Sequence, residues 1–188
     1  LPFKYESEKK TTGMTALGGL LSYLDLAHVV GLSRLADRHL AVRRAGQGWT
    51  DGEMVTVLVL LNLAGGDCIE DLKVLEADEG FCRVLRKARL HGLRQRARRK
   101  LARRWRKAKK RTVPSASAVF RYLSAFEDHQ QEALREPGAA YIPKANKHLR
   151  GFSKINKELL SLVQANNRQK TATLDMDATL LETTKKEA

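Results

Sequence analysis

Asp175 and Asp177 stand two residues apart in the run Leu174-Asp175-Met176-Asp177-Ala178-Thr179. Side chains on a strand alternate between faces. A strand here therefore sends both carboxylates to one side and Leu174, Met176 and Ala178 to the other. A carboxylate on a buried strand is costly unless a cation compensates it. Magnesium or manganese chemistry on phosphodiesters uses such carboxylates to hold two ions. One ion activates a water or a 3′ hydroxyl, and the other stabilises the leaving oxygen. The same tripeptide suits an edge strand with solvated aspartates, so spacing alone leaves both readings open.

Charge is the second chemical signal. The 188-residue chain carries 35 Lys and Arg against 21 Asp and Glu, a net +14. Between Arg83 and Arg111 lie 16 of those basic residues, and no Asp or Glu occurs from Gly80 to Phe126. Elsewhere 19 basic residues face 21 acidic ones, so the whole positive excess sits in one segment. Such a block needs a polyanion or open water around it.

Within that block Leu90, Leu93, Ala97, Leu101, Trp105 and Ala108 recur at steps of three and four. The spacing predicts one basic helix over 83–111 with a single apolar stripe, stopped at Val113-Pro114. Duplex DNA attracts such a surface because each neutralised phosphate releases condensed counterions. Arg outnumbers Lys, which suits bidentate contacts to phosphate or guanine. The candidate DNA contacts are Arg94, Arg96, Arg98, Arg99, Lys100, Arg103, Arg104, Arg106, Lys107, Lys109, Lys110 and Arg111. Pro114-Ser115 then opens a further helix through Val119, Tyr122, Leu123 and Phe126. As the second helix of a helix-turn-helix it would turn Ser115, Ser117 and Arg121 toward the DNA. A core helix with a serine cap is the alternative. The narrow stripe, with two alanines, would bury little in lipid, so no membrane partner is expected.

The remaining elements must position these groups. Residues 1–12 read as a loose polar lead-in. Leu17, Leu20, Leu21 and Leu24 stand at helix spacing, and a short helix follows around Ser33 to Ala36, with Ser33 as its cap. Thr50-Asp51-Gly52-Glu53 has the form of a capping box and opens a helix to about Leu63 that is apolar on most faces, hence central. Asp67-Cys68-Ile69-Glu70 repeats that logic for a helix to about Glu76, and Gly80-Phe81 begins another. Leu149, Phe152, Ile155, Leu159 and Leu162 place a helix from about Lys144 to Gln164, closed by Asn166-Asn167. Thr171 to Leu181 is the one convincing strand.

Hydrophobic residues make up 43% of the chain, enough for a packed core. Cys68 and Cys82 lack a Cys-x-x-Cys partner and paired histidines, which argues against a zinc site or disulfide framework and fits a reducing compartment. The longest apolar run, Met54 to Ala64, is broken by Thr56 and Asn62 and is too short to span a bilayer. With no signal peptide legible at the start, a cytoplasmic location is expected.

Three stretches carry a family resemblance: Gly18-Gly19-Leu20-Leu21; Trp49-Thr-Asp-Gly-Glu-Met together with Leu61-Asn-Leu-Ala-Gly-Gly-Asp-Cys-Ile-Glu-Asp-Leu-Lys-Val-Leu-Glu-Ala-Asp78; and Thr173-Leu-Asp-Met-Asp-Ala-Thr179. The chain resembles the N-terminal part of DDE transposases of the IS4-like superfamily, closest to the IS1380-type group. The resemblance implies a mainly α fold. A helical DNA-binding region over 13–165 is followed, at 166–188, by the first strand of an incomplete ribonuclease H-like α/β domain. It implies that Asp177 is the first acid of the catalytic triad, with Asp175 as the alternative or a supporting neighbour, and Mg2+ or Mn2+ as cofactor. The family's second Asp and its Glu come from later in the chain. Metal-dependent DNA cleavage and strand transfer are therefore expected only of the complete transposase, and this chain is expected to be inactive alone. The implied partner is double-stranded DNA at transposon ends, with a homo-oligomer open to the complete protein. A stand-alone basic helical DNA-binding or regulatory protein is the alternative.

Overall fold

In the computed structural model, which describes residues 14–43, 48–105, 111–127, 130, 133, 144–167 and 171, Thr50 starts the central helix. Its hydroxyl accepts from the Glu53 N–H at 3.1 Å, and the Glu53 carboxylate accepts from the Thr50 N–H at 3.0 Å. This is the reciprocal cap that the sequence predicts, and it satisfies two backbone donors a helix start otherwise leaves open. The helix, α3 (Asp51–Leu63), buries Met54, Val57, Leu60 and Leu61 in the main core. On another side it gives Val55 to a second, smaller cluster. Being covered from two directions is why it is apolar on most faces.

The described residues are mainly helical, with no strand among them. Helix α1 (Leu20–Val29) lays Leu20 and Leu24 on the main core. Helix α2 (Leu32–His39) puts Leu35 and Ala36 into the smaller cluster with Leu40, Val55 and Ile155. The expected cap at Ser33 is not made. Helix α2 starts two residues earlier, after Gly31 at φ 72°, with no side-chain cap. Ser33 instead lies against Gly52 of α3, where an added Cβ would sit 2.2 Å from its hydroxyl oxygen. Two helices meet there almost backbone to backbone.

The next box is also displaced. Asp71, not Glu70, supplies the carboxylate, which accepts from the N–H groups of Asp67 at 3.1 Å and Cys68 at 3.2 Å. A 3-10 turn, Ile69–Asp71, leads into α4 (Leu72–Ala77). Helix α5 (Glu79–Leu90) is capped by Asp78, whose Oδ1 accepts from the Phe81 N–H at 2.8 Å. Leu72 and Leu75 of α4, Phe81 and Leu85 of α5, and Val113 complete one side of the main core. Each such side chain, fully buried, contributes about 1.5–3 kcal/mol.

After the basic segment, α7 (Ala116–Leu123) brings in Val119 and Tyr122 and runs into a 3-10 turn, Ser124–Phe126. The long last helix, α8 (Lys147–Asn166), is capped by Asn146, which accepts from the N–H groups of His148 and Leu149, each at 2.9 Å. It packs across α2. Gly151 lets it approach to where an added Cβ would stand 2.5 Å from the His39 carbonyl, and Arg38 and His39 both pair with Glu158. The lead-in, and the strand expected over Thr171 to Leu181 with Asp175 and Asp177, lie outside the described residues apart from Thr171.

Candidate nucleic-acid interface

The basic segment is two helices, not the single one its apolar stripe suggests. Helix α5 ends at Leu90, and α6 spans Gln95–Trp105. The His91 N–H still bonds the carbonyls of Lys87 and Ala88, both at 3.1 Å, and then Gly92 takes φ 70°. That left-handed turn is open to glycine and costs other residues about 1–2 kcal/mol. It breaks the helix between Leu90 and Leu93. The stripe still has a use, because Leu93 and Leu101 line a cleft of about 590 Å³ shared with Leu24, Leu85 and Ala88. At the rim of that cleft the rings of His28 and His91 meet edge to face, 5.3 Å between centres. Burial lowers the His28 pKa below its ordinary value, and the positive charge of Arg34 adds to the effect.

Thr112 closes the base of this arm. Its side chain is fully buried. Arg86 Nε donates to its hydroxyl at 2.7 Å, and Arg89 Nη1 donates to its carbonyl at 2.6 Å. The carboxylate of Glu76, on α4, accepts from the Thr112 N–H at 3.0 Å and from the Val113 N–H at 2.6 Å. The chain thus leaves the core at the end of α5 and returns beside it.

This geometry divides the cations. Arg83 bonds Glu79 at 2.6 Å. Arg86 and Arg89 are turned to Thr112, and Arg89 also lies 5.1 Å over the Trp49 ring and 3.8 Å from Glu53. These three serve the fold. Arg94, Arg96, Arg98, Arg99 and Arg103 are exposed. Among the described residues none of these five stands within ion-pair distance of a carboxylate. Lys100 and Arg104 lie on α6, while Arg106, Lys107, Lys109 and Lys110 fall outside the described residues. Arg111 is exposed and donates to the Val113 carbonyl at 3.2 Å.

On α7, Ser115 is the cap, its hydroxyl accepting from the Ala118 N–H at 3.3 Å. Ser117 is exposed, and so is Arg121, whose Nε donates to the Ser117 carbonyl at 3.2 Å. Sequence reasoning missed Glu76 and Thr112 as the clasp, and Asp78 as the α5 cap. The Asp78-Glu79-Gly80-Phe81 spacing carried the last of these, an acid three residues before the N–H it accepts from. Nothing local marks a clasp between residues 36 positions apart.

Among the described residues no group of three or more His, Cys, Asp or Glu could hold a metal ion, and no helix is long and apolar enough to cross a membrane. Asp175 and Asp177 are not among those residues. No family model matches the chain, and neither a curated protein nor a solved structure does.

Proposed function

We propose that this chain is the N-terminal, DNA-holding part of a DNA transposase, gripping transposon-end duplex through the arm formed by α6 and its flanks. The observation that carries the DNA half is the set of exposed arginines on α6, none within ion-pair distance of a carboxylate among the described residues. Exposed guanidiniums along a helix are suited to lie against a phosphate backbone, and each phosphate neutralised releases counterions. Support for the transposase half is the resemblance alone. Under that reading Asp177, with Asp175 beside it, would hold a divalent ion in the complete protein, supplying Lewis-acid stabilisation of the reacting phosphodiester.

Duplex binding followed across salt concentration tests the first half. The slope of log affinity against log salt reflects about 0.9 per phosphate contact. Changing Arg98, Arg99, Arg103 and Arg104 together to Gln is expected to flatten that slope by about 3 and to weaken binding at least about a hundredfold near 0.15 M salt. Unchanged affinity removes the arm as the contact surface. For the second half, a magnesium or manganese response in the complete transposase is expected to disappear in Asp177→Asn. A full response in that variant would move the metal-holding role to Asp175 or elsewhere in the chain.

A further inference from the structure

We infer that α8 carries a second phosphate-binding track, joined to the arm across α2, and that this track lies against the duplex the arm holds. The inference rests on the duplex-binding reading above and adds a surface to it. Lys147, Arg150, Lys154 and Lys157 are exposed on α8. At 3.6 residues per turn, steps of three, four and three keep them within an arc of about 80°. Among the described residues none of the four stands within ion-pair distance of a carboxylate. Helix α8 has one acid, Glu158, and Arg38 and His39 of α2 both pair with it. The one acid of α2, Asp37, accepts from the Gly52 N–H at 2.7 Å.

The fold links this stripe to the arm. Glu158 follows Lys154 by one turn, so the stripe runs along the edge where α8 packs on α2. The other end of α2 reaches the arm. Exposed Arg34 lines the cleft together with Leu93 and Leu101. From Arg34 to Arg38 is one helical turn, about 6 Å. Cations thus continue from the arm over Arg34 and Arg38 to α8. Spacing fits the occupant. Lys147 to Lys157 covers about 15 Å of helix axis, and a DNA strand presents a phosphate every 3.4 Å or about that. Four cations therefore face about four phosphates. Three of them are lysines, point charges that suit a phosphate and give no bidentate base readout. A duplex already on the arm offers these phosphates at high effective concentration, so weak single contacts add to affinity.

Fluorescence anisotropy on the full chain, with a duplex of about 30 base pairs and arbitrary sequence, tests this, since phosphate contacts carry no sequence information. Changing Lys147, Arg150, Lys154 and Lys157 together to Gln is expected to flatten the slope of log affinity against log salt by about 3. Binding near 0.15 M salt is expected to weaken at least about tenfold. The single changes Lys154→Gln and Lys157→Gln, each at an exposed site and to a good helix former, are each expected to take about 0.9 off the slope. A variant that keeps the charges, Lys147→Arg, Arg150→Lys, Lys154→Arg and Lys157→Arg, is expected to bind as the parent does. Parental affinity and slope in the fourfold Gln variant, while the change of Arg98, Arg99, Arg103 and Arg104 lowers both, overturns the inference and leaves the duplex-binding reading standing. A parent chain that binds no duplex overturns both. Lost affinity with an unchanged slope, or equal loss in the charge-keeping variant, overturns the inference too. So does parental binding to anionic vesicles that the Gln changes abolish while duplex binding stays.

Discussion

Asp78 ties together parts of the chain 62 positions apart. One carboxylate oxygen caps α5, while the other accepts from the Thr15 hydroxyl at 2.7 Å and the Ala16 N–H at 3.0 Å. Partial burial pushes its pKa upward, but the bonds from Phe81, Thr15 and Ala16 outweigh it, so the carboxyl is held below its ordinary value. A depressed folded value stabilises the fold fully above the unfolded carboxyl range, about pH 4, and this contribution is lost as pH falls through the lower folded value. Asp78→Ala is expected to cost about 1–3 kcal/mol in denaturant unfolding at pH 7, from the lost cap and the unpaired donors. The gap to the parent protein is expected to shrink below about pH 4. A gap that stays constant down to pH 2 would mean the carboxylate charge contributes nothing. At Glu76 the expected cost is larger. Glu76→Ala leaves the buried N–H groups of Thr112 and Val113 without acceptors, for about 2–5 kcal/mol in the same measurement. The acid at 78 was open to view as a cap once α5 was placed. The acid at 76 looked like the end of α4 and no more.

Helix α6 shows how an element can be recognised by its period and still be placed wrongly. The stripe from Leu90 to Trp105 fits one helix, because three- and four-residue steps do not show where the axis turns. Gly92 turns it, and the turn places Leu93, still 40% exposed, and the half-buried Leu101 along the cleft wall. The end of α5 and Thr112 are held side by side, so a short link can join them. Replacing residues 92–110 by a short Gly/Ser link of about four residues, a common loop length, is expected to leave a cooperative thermal transition. The same replacement is expected to abolish duplex binding. Loss of cooperative melting would show that Leu93 and Leu101 hold the core together. The caps on α3 and α7 were legible because each is a contact within three residues, written by Thr50 and Ser115 themselves; the Asn146 cap of α8 was not read, because the helix was placed from about Lys144. Ser33 had the right chemistry for a cap, but tertiary packing against Gly52 took it elsewhere.

At the scale of the whole molecule, a net +14 held largely by one segment makes the chain repel itself. Raising sodium chloride from about 0.02 to 0.3 M, which shortens the screening length several-fold, is expected to raise the melting temperature by a few degrees. The gain is expected to be much smaller once residues 92–110 are replaced. Equal gains in both would place the repulsion outside the arm. The sequence by itself determined the helical class, most helix spans to within a few residues, the caps at Thr50 and Ser115, and where the positive charge lies. All of these depend on neighbours within about one helical turn, which is the range over which spacing carries information. Tertiary structure alone decided which cations are free. Arg86 and Arg89 look no different from Arg96 and Arg99 along the chain, yet the first two are bound to Thr112 and the others face water. The reason is that their partner lies 26 and 23 positions away, a distance that local periodicity does not reach and only the folded core closes.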